Sequence, residues 1–213
     1  MTALDRADFE ALLLAPGPDG LRAAIESGAL DALVPELRAE LSFVQKNAYH
    51  QLTCLEHSLL TAWAMRPPSF ELRLLGLLHD LGKRECRRLN SKTGQEQYIG
   101  HPEASARQAE RLLARLGYEP AFRARMVRRI ADHMVLHLGA NDAVKPASLD
   151  KILARLGDDL EVLTALQLAD LSAMNPRMAA AKIPEALAFG RRLRARAALQ
   201  AAGRPGANPG ASR

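Results

Sequence analysis

The sequence predicts an all-α protein, and three observations support this fold class. Aromatic residues make up only 4% of the 213 residues and β-branched residues are scarce, so a large sheet would lack its usual side chains. Apolar residues recur at helical spacing, and alternating apolar stretches are hard to find. Hydrophobic residues account for 48% and charged residues for 25%, a balance typical of a folded globular chain. Disordered and collagen-like classes are therefore excluded.

The N-terminal part of the chain predicts short helices separated by proline and glycine. A first helix over 4–14 ends at Pro16-Gly17-Pro18, after which Asp19 caps a helix that runs through Ile25. Short helical pieces interrupted by Pro35 follow over 30–43. A turn at 46–49 then leads into a helix over 53–65.

The most apolar predicted helix spans 70–81. The double proline Pro67-Pro68 ends the preceding helix, and Ser69 supplies an N-terminal cap. Leucines crowd this helix before Gly82 offers a C-terminal stop. We expect the helix to be central and mostly buried.

The remainder of the chain predicts one polar loop and a further run of helices. Glycines break the segment 90–100, which we expect to be an exposed loop of the kind that often contacts substrate. The helices that follow are predicted over 102–116, 120–134, 148–156 with Ser148 as cap, 158–174, and 184–199 with Pro184 in its first turn. We assign 1–33 to supporting helices, 34–200 to the main domain and 201–213 to a disordered tail.

Charge and cysteine content indicate a setting for the protein. Lys and Arg total 29 against 24 Asp and Glu, and the net charge of +5 suits an anionic partner such as RNA or a nucleotide, although compositional bias explains it equally well. Cys54 and Cys86 form neither a disulfide framework nor a thiolate zinc motif. No apolar run reaches the ~18 residues of a membrane span, and the N-terminus lacks a secretory signal. We expect a soluble, cytoplasmic protein without a membrane partner.

Histidine and aspartate are placed unusually within apolar segments. Four of the six histidines lie on or at the ends of consecutive predicted helices: His57, His79, His101 and His133. Asp80 follows His79 at the end of the most apolar helix, where unpaired polar groups would cost several kcal/mol. Asp170 lies in another apolar helix. The His79-Asp80 pair could satisfy itself in the core, cap a helix, or bind a metal together with His57 and Asp170.

The order of these residues carries a family resemblance. His57, then His79-Asp80, then Asp170 resembles the HD-domain metal-dependent phosphohydrolases, and Lys83 completes the H-D-x-G-K form of their motif. The stretches 47–57 and 100–106 look most like the HD domain attached to bacterial tRNA nucleotidyltransferases. Only some thirty residues precede the similar region, so we expect a standalone module without a nucleotidyltransferase domain.

The resemblance implies an HD-domain helical bundle with a metal site between its central helices. It assigns His57, His79, Asp80 and Asp170 to a divalent ion. Asp80 and Lys83 are the predicted catalytic residues: Gly82 lets the chain turn at the helix end so that the Lys83 amine reaches a bound phosphate, and the alternative for Lys83 is a favourable interaction with the helix dipole. Nitrogen and carboxylate ligands suit Mn²⁺, Ni²⁺, Co²⁺, Fe²⁺ or Mg²⁺. The two remaining histidines, His101 and His133, either hold a second ion that Asp80 bridges or contact the phosphate of a substrate beside a single ion.

Other residues near the motif admit two interpretations each. His137 follows His133 by four residues and shares its helical face, but Gly139 indicates that the helix ends there. His50 lies either at the pocket mouth or in a solvent-facing cap. The arginines of the helices over 102–116 and 120–134 form either a solvated face or a surface for nucleic acid.

The function implied by the resemblance is metal-dependent hydrolysis of a phosphomonoester or phosphodiester in a nucleotide or RNA end. The first candidates are 2′,3′-cyclic phosphodiesterase, 2′-nucleotidase and phosphatase activities. One alternative is a hydrolase of alarmones or deoxynucleotides. The other is a non-catalytic HD module that binds a nucleotide or RNA. The expected partner is a phosphorylated small molecule or nucleotide, and the sequence leaves the oligomeric state open.

Overall fold

A computed structural model describes residues 4–45, 52–138 and 144–202 of the chain. The predicted turn at 46–49, His50, Gly139 and the predicted tail from Gly203 lie outside these ranges. Every structural statement below concerns the described residues.

Twelve α-helices, one 3₁₀ helix (Gly157–Asp159) and one two-stranded sheet account for the regular structure of the described residues, which confirms the all-α fold class. The helices are α1 (Arg6–Leu14), α2 (Asp19–Glu26), α3 (Pro35–Ala39), α4 (Cys54–Ala64), α5 (Phe70–Leu78), α6 (Lys83–Cys86), α7 (His101–Arg115), α8 (Pro120–Asp132), α9 (Val135–Leu138), α10 (Pro146–Leu156), α11 (Leu160–Ser172) and α12 (Pro176–Ala202). The strands are β1 (Arg88–Leu89) and β2 (Glu96–Gln97).

Hydroxyl caps fix the starts of the two helices at the centre of the fold. The Thr53 side chain accepts the amide of Glu56 at 3.2 Å at the start of α4. Ser69 accepts the amide of Leu72 at 3.3 Å at the start of α5, as the sequence predicts. Each hydroxyl satisfies an N–H that has no partner within its own helix, so each helix begins at a defined residue.

The centre of the fold is a close pair of helices crossed by a third. An added Cβ at Gly76 of α5 would lie 2.8 Å from the Cα of Ala62 in α4, so glycine is required where the two helices approach. Helix α11 packs across both α4 and α5, while α7 pairs with α8 and contacts α6. The buried leucines of these helices form one hydrophobic core, onto which α1 and α2 also pack.

The predicted loop over 90–100 contains half of a short hairpin. Strand β1 pairs antiparallel with β2, with Arg88 opposite Gln97 and Leu89 opposite Glu96. Asn90 accepts the amides of Lys92 and Thr93 through its side-chain oxygen and so stabilises the turn between the strands. Residues 91–95 are thus the exposed connection of this hairpin, as predicted, and the prediction missed only the two-residue strand β2.

Several predicted helix starts are shifted. Helix α2 begins at Asp19, so this residue lies inside the helix and Pro18 occupies the cap position. Helix α10 begins at Pro146 instead of after a Ser148 cap, because proline at the first helical position needs no N–H partner. Pro184 lies inside α12 and not in its first turn. The helix continues past this proline because Ala186, Phe189 and Leu193 are buried beyond it.

Within the described residues, no helix has both the length and the apolar character that crossing a bilayer would require.

Candidate metal centre

Four of the predicted ligand residues converge between the central helices. His57 comes from α4, His79 caps the C-terminus of α5, Asp80 follows it, and Asp170 comes from α11. All four are buried, and one ligand atom from each lies within 4.8 Å of the others. The four residues that the sequence motif singles out therefore lie close together in the folded protein.

The distances show imidazole nitrogens facing carboxylate oxygens. His57 Nε2 lies 2.8 Å from Asp170 Oδ1 and 3.6 Å from Asp80 Oδ2. His79 Nε2 lies 3.2 Å from Asp80 Oδ2 and 3.7 Å from Asp170 Oδ1. Two imidazoles and two carboxylates thus surround one point, which is the nitrogen and oxygen ligand set that divalent first-row metals accept.

A second group shares one member with the first. Asp80, His101 and His133 also bring their ligand atoms within 4.8 Å of one another. Asp80 Oδ1 lies 3.4 Å from His101 Nε2 and 3.7 Å from His133 Nε2, and the two imidazole Nε2 atoms are 3.1 Å apart. Asp80 therefore directs one oxygen to each group.

Backbone carbonyls orient all four of these histidines in the same way. The Nδ1 atoms face the carbonyls of Ala173 at 3.5 Å, Gly76 at 2.8 Å, Tyr98 at 2.8 Å and Ile130 at 2.7 Å, for His57, His79, His101 and His133 respectively. A carbonyl oxygen only accepts hydrogen bonds, so each Nδ1 carries a proton. The Nε2 atoms are thereby directed inward as ligand atoms, an arrangement common among metal-binding histidines.

The electrostatics of the group formed by His57, His79, Asp80 and Asp170 favour a bound positive charge. His79 Nε2 is buried and makes no hydrogen bond with any described residue, although the carboxylates are near. Burial lowers the pKa of His79, but Asp80 and Asp170 outweigh burial and raise this pKa to about 10. Burial raises the pKa values of Asp80 and Asp170, yet the neighbouring histidines, and Lys83 at Asp80, hold both pKa values well below the usual range. The residues present fit a divalent cation.

In the second group, the pKa values of the two histidines are lowered instead of raised. Burial lowers the pKa of His101, and burial together with the charge of His79 lowers the pKa of His133 to about 3. Both rings are therefore neutral near pH 7, with protons on their Nδ1 atoms. Their Nε2 lone pairs face each other across 3.1 Å, which is unfavourable unless a cation or a donor lies between them.

Lys83 lies at the start of α6 and contacts the shared carboxylate. Its Nζ is 2.6 Å from Asp80 Oδ2, and the residue is buried. Burial lowers the pKa of Lys83, but Asp80 outweighs burial and the pKa is raised. The ammonium is therefore charged and belongs to the same cluster as the candidate ligands.

The role of Gly82 differs from the sequence-based expectation of a chain turn. Its φ of −82° and ψ of −7° are accessible to any residue. An added Cβ would instead lie 2.4 Å from the backbone nitrogen of Ser105 and 2.6 Å from the Cβ of Ala104 in α7. Glycine is required here because α7 approaches the backbone closely.

His137 also reaches the site. It lies on α9, a helix separate from α8, and its Nε2 is 3.2 Å from Asp170 Oδ2. Its side chain is 14% exposed, so it lies at the edge of the buried cluster. The spacing of four residues from His133 was the only sequence signal for this position, and it did not indicate Asp170 as the partner.

Most arginines of the helices predicted over 102–116 and 120–134 form ion pairs. The pairs are Arg107 with Glu85, Arg115 with Glu36, Arg123 with Glu110, Arg125 with Glu71, Arg128 with Asp159, and Arg129 with Glu71 and Asp159. These contacts neutralise much of the positive charge along α7 and α8. The pairs favour a structural role for these arginines over a dedicated surface for nucleic acid.

The fold and the site together define an all-helical protein with a buried histidine and aspartate centre suited to divalent ions. The family model described as the HD domain matches residues 47–171, more than half of the chain. The chain belongs to the HD-domain family, whose members are generally metal-dependent hydrolases.

Curated relatives agree with this assignment. The chain is 32% identical over 164 residues to a CC-adding tRNA nucleotidyltransferase from Thermus thermophilus, which covers 75% of the chain and 36% of the relative. It is 31% identical over 173 residues to an A-adding tRNA nucleotidyltransferase from Deinococcus radiodurans, which covers 79% of the chain and 38% of the relative. The chain thus spans little more than a third of the length of these relatives.

Proposed function

We propose that this protein is a metal-dependent phosphohydrolase that cleaves a phosphomonoester or phosphodiester bond of a nucleotide or an RNA end. The candidate activities are 2′,3′-cyclic phosphodiesterase, 2′-nucleotidase and phosphatase. The observation that carries the proposal is the common orientation of the histidines, whose Nδ1 atoms face backbone carbonyls while their Nε2 atoms face carboxylates. This arrangement favours ligation over an ordinary buried hydrogen-bond network.

The proposed ligands of the first ion are His57, His79, Asp80 and Asp170, and the ion is one of Mn²⁺, Ni²⁺, Co²⁺, Fe²⁺ or Mg²⁺. When bound, such an ion lowers the pKa of a coordinated water and polarises a phosphoryl oxygen. The carboxylates of Asp80 and Asp170 supply the negative charge that balances it.

Lys83 is the proposed contact for the phosphate of the substrate. Its ammonium already lies 2.6 Å from Asp80 Oδ2, so a phosphoryl group bound beside Asp80 is within reach of the same cation. A fixed positive charge in a buried position stabilises the negative charge that develops on the phosphoryl oxygens. Asp80 and Lys83 are thus the proposed catalytic residues.

His101 and His133 are compatible with two arrangements. With two ions, His101, His133 and Asp80 Oδ1 would hold the second ion, while Asp80 Oδ2 would remain directed at the first group. With one ion, the same imidazoles contact the substrate phosphate. The facing Nε2 atoms, 3.1 Å apart, favour a second cation, because neutral rings in this tautomer have no Nε2 proton to donate to a phosphate.

A nucleotide or RNA substrate is supported by the curated relatives, which are named as tRNA nucleotidyltransferases. Addition of nucleotides to tRNA does not follow for this chain, because the similar region covers only 36% and 38% of those proteins.

The test is hydrolysis of bis-p-nitrophenyl phosphate, 2′,3′-cyclic AMP and 2′-AMP with each candidate metal and with EDTA. We expect metal-dependent turnover that falls by at least ~10³-fold in Asp80→Asn, since this change removes charge from both ligand groups. Asp19→Asn, in an exposed carboxylate, is the control and should retain full turnover.

Other outcomes discriminate the alternatives. Hydrolysis of an alarmone or a deoxynucleoside triphosphate, without hydrolysis of the three test esters, would show that the substrate belongs to that class instead. RNA or nucleotide binding without metal-stimulated hydrolysis would indicate a non-catalytic module. Turnover that is unaffected by Asp80→Asn would overturn the proposed site.

A further inference from the structure

We infer that His137 is a positioning residue that holds the Asp170 carboxylate in its ligating orientation. The inference rests on the proposed function, since it concerns how the chain prepares one ligand of the first metal. The evidence for it is that the two carboxylate oxygens of Asp170 contact different residues. Oδ1 faces the candidate ligands His57 and His79 at 2.8 and 3.7 Å, whereas Oδ2 faces His137 Nε2 at 3.2 Å.

The contact restricts rotation of the carboxylate. A carboxylate held only through Oδ1 can turn about its final bond and exchange its oxygens, because this torsion is broad. An imidazole N–H at Oδ2 opposes that rotation and leaves Oδ1 directed at the site. Ligating carboxylates in metal sites are commonly held in this way by outer residues.

The position of His137 suits this role better than direct ligation. The tightly clustered group comprises His57, His79, Asp80 and Asp170, and His137 is not among those ligand atoms. Its contact is with the oxygen of Asp170 that faces away from His57. Its side chain also remains 14% exposed, whereas the four clustered side chains are at most 8% exposed.

The local structure connects this contact to the fold. Helix α9 packs against α11, so the histidine and its carboxylate come from two neighbouring helices. Leu136, the residue before His137, is 1% exposed and anchors α9 in the core. The helix that carries His137 is therefore anchored in the core, which holds the imidazole beside Asp170.

The experiment compares three variants by their affinity for Mn²⁺, measured by isothermal titration calorimetry on the full chain. His137→Leu keeps the volume of the side chain and removes the polar contact. His137→Gln places an amide N–H near the position of Nε2. Val135→Ala, on the same helix, removes apolar packing of α9 against the core while leaving His137 in place, and serves as the control. Unfolding midpoints in EDTA report whether each variant is folded.

We expect His137→Leu to weaken Mn²⁺ binding about 10- to 100-fold, the usual effect of removing an outer residue, while His137→Gln and Val135→Ala stay within about threefold of wild type. Equal affinity in His137→Leu and wild type would overturn the inference while the metal site stands. A loss in His137→Gln as large as that in His137→Leu would also overturn it, and would make His137 a ligand. If the wild-type chain does not bind Mn²⁺, the titration is repeated with Ni²⁺, Co²⁺, Fe²⁺ and Mg²⁺, and failure to bind any of the five would overturn the proposed metal site and the inference with it.

Discussion

The backbone amide of Gly82 donates a hydrogen bond to the side-chain oxygen of Ser105 across 2.8 Å, in the buried interface between α6 and α7. Asp80 lies just before this contact, and His101 lies one helical turn before Ser105. The contact therefore fixes the separation between Asp80 and His101, whose nearest ligand atoms are 3.4 Å apart.

Gly82→Ala should destabilise the protein by roughly 2–3 kcal/mol or more, because the new Cβ would overlap backbone atoms that cannot move independently. Its nearest neighbours would be the Ser105 nitrogen at 2.4 Å and the Ala104 Cβ at 2.6 Å. Urea denaturation measures the effect. Gly17→Ala is the control, since a Cβ at Gly17 meets nothing within 4 Å, and this change should stay within about 1 kcal/mol of wild type. Equal stability of the two variants would contradict the close approach.

Glu40→Gln should change how stability depends on pH. Glu40 is 4% exposed, and burial raises its pKa from 4.5 to about 7 despite a contact with Cys54. The folded state therefore binds the Glu40 proton more tightly than the unfolded state does. This contribution to stability is complete below about pH 4.5 and is lost as the pH rises through about 7.

The difference between these two pKa values corresponds to on the order of 3 kcal/mol. The free energy of unfolding of Glu40→Gln minus that of wild type should therefore be larger at pH 8 than at pH 5, by up to about 3 kcal/mol. Urea denaturation of both proteins at both pH values measures this difference. Glu26→Gln, in an exposed carboxylate, is the control and should show a difference below ~0.5 kcal/mol. A Glu40→Gln variant whose stability relative to wild type is the same at both pH values would show that Glu40 does not titrate in this way.

His101→Phe should separate stability from metal binding. In EDTA, the wild-type protein holds two neutral imidazoles with Nε2 atoms 3.1 Å apart, close to Asp80 Oδ1. Phenylalanine removes that repulsion, so the unfolding midpoint in EDTA should be unchanged or higher.

The rise in midpoint on adding Mn²⁺ should then be smaller by about 5–10 °C, the loss expected for one ion present at roughly 100 times its dissociation constant. Differential scanning calorimetry with and without Mn²⁺ measures both quantities. A lower midpoint in EDTA combined with an unchanged Mn²⁺ effect would indicate a purely structural histidine.

Arg129→Met should be strongly destabilising because it breaks a buried ion-pair network. Arg129 Nε lies 2.8 Å from Asp159 Oδ1, and the side chains are 12% and 4% exposed. Arg129 also contacts Glu71. We expect a loss of about 3 kcal/mol, at the lower end for a buried pair because Arg128 still faces Asp159.

Arg107→Met is the matched control for Arg129→Met. The side chains of Arg107 and its partner Glu85 are 57% and 48% exposed, so this pair should contribute less than ~1 kcal/mol. Urea denaturation of both variants makes the comparison. Similar losses would mean that burial does not determine the strength of these pairs.

The sequence predicted the central helices well because their signals are local. Apolar spacing and the Ser69 cap depend on residues within one or two turns, and α4 and α5 were found within a few residues of their bounds. Pro184 misled the prediction because a local helix breaker was outweighed by burial of Phe189 and Leu193, which depends on the tertiary fold.

The site shows the same limit. The ligand order and the H-D-x-G-K motif identified the residues that converge, because residue types and their order can be read directly from the sequence. The approach of Ser105 to Gly82 and the contact of His137 with Asp170 could not be predicted, because each joins helices that are distant in sequence. Periodicity within one helix does not specify which neighbour it meets.

The shared position of Asp80 makes the two groups of candidate ligands interdependent at one residue only. Loss of Asp80 removes an oxygen from both groups at once, so neither group survives it complete. His101 and His133 belong to the second group alone, and their replacement leaves the first group of four intact. Within the described residues, each group can therefore be lost through its own members without touching the other, whereas a change at Asp80 affects both groups together.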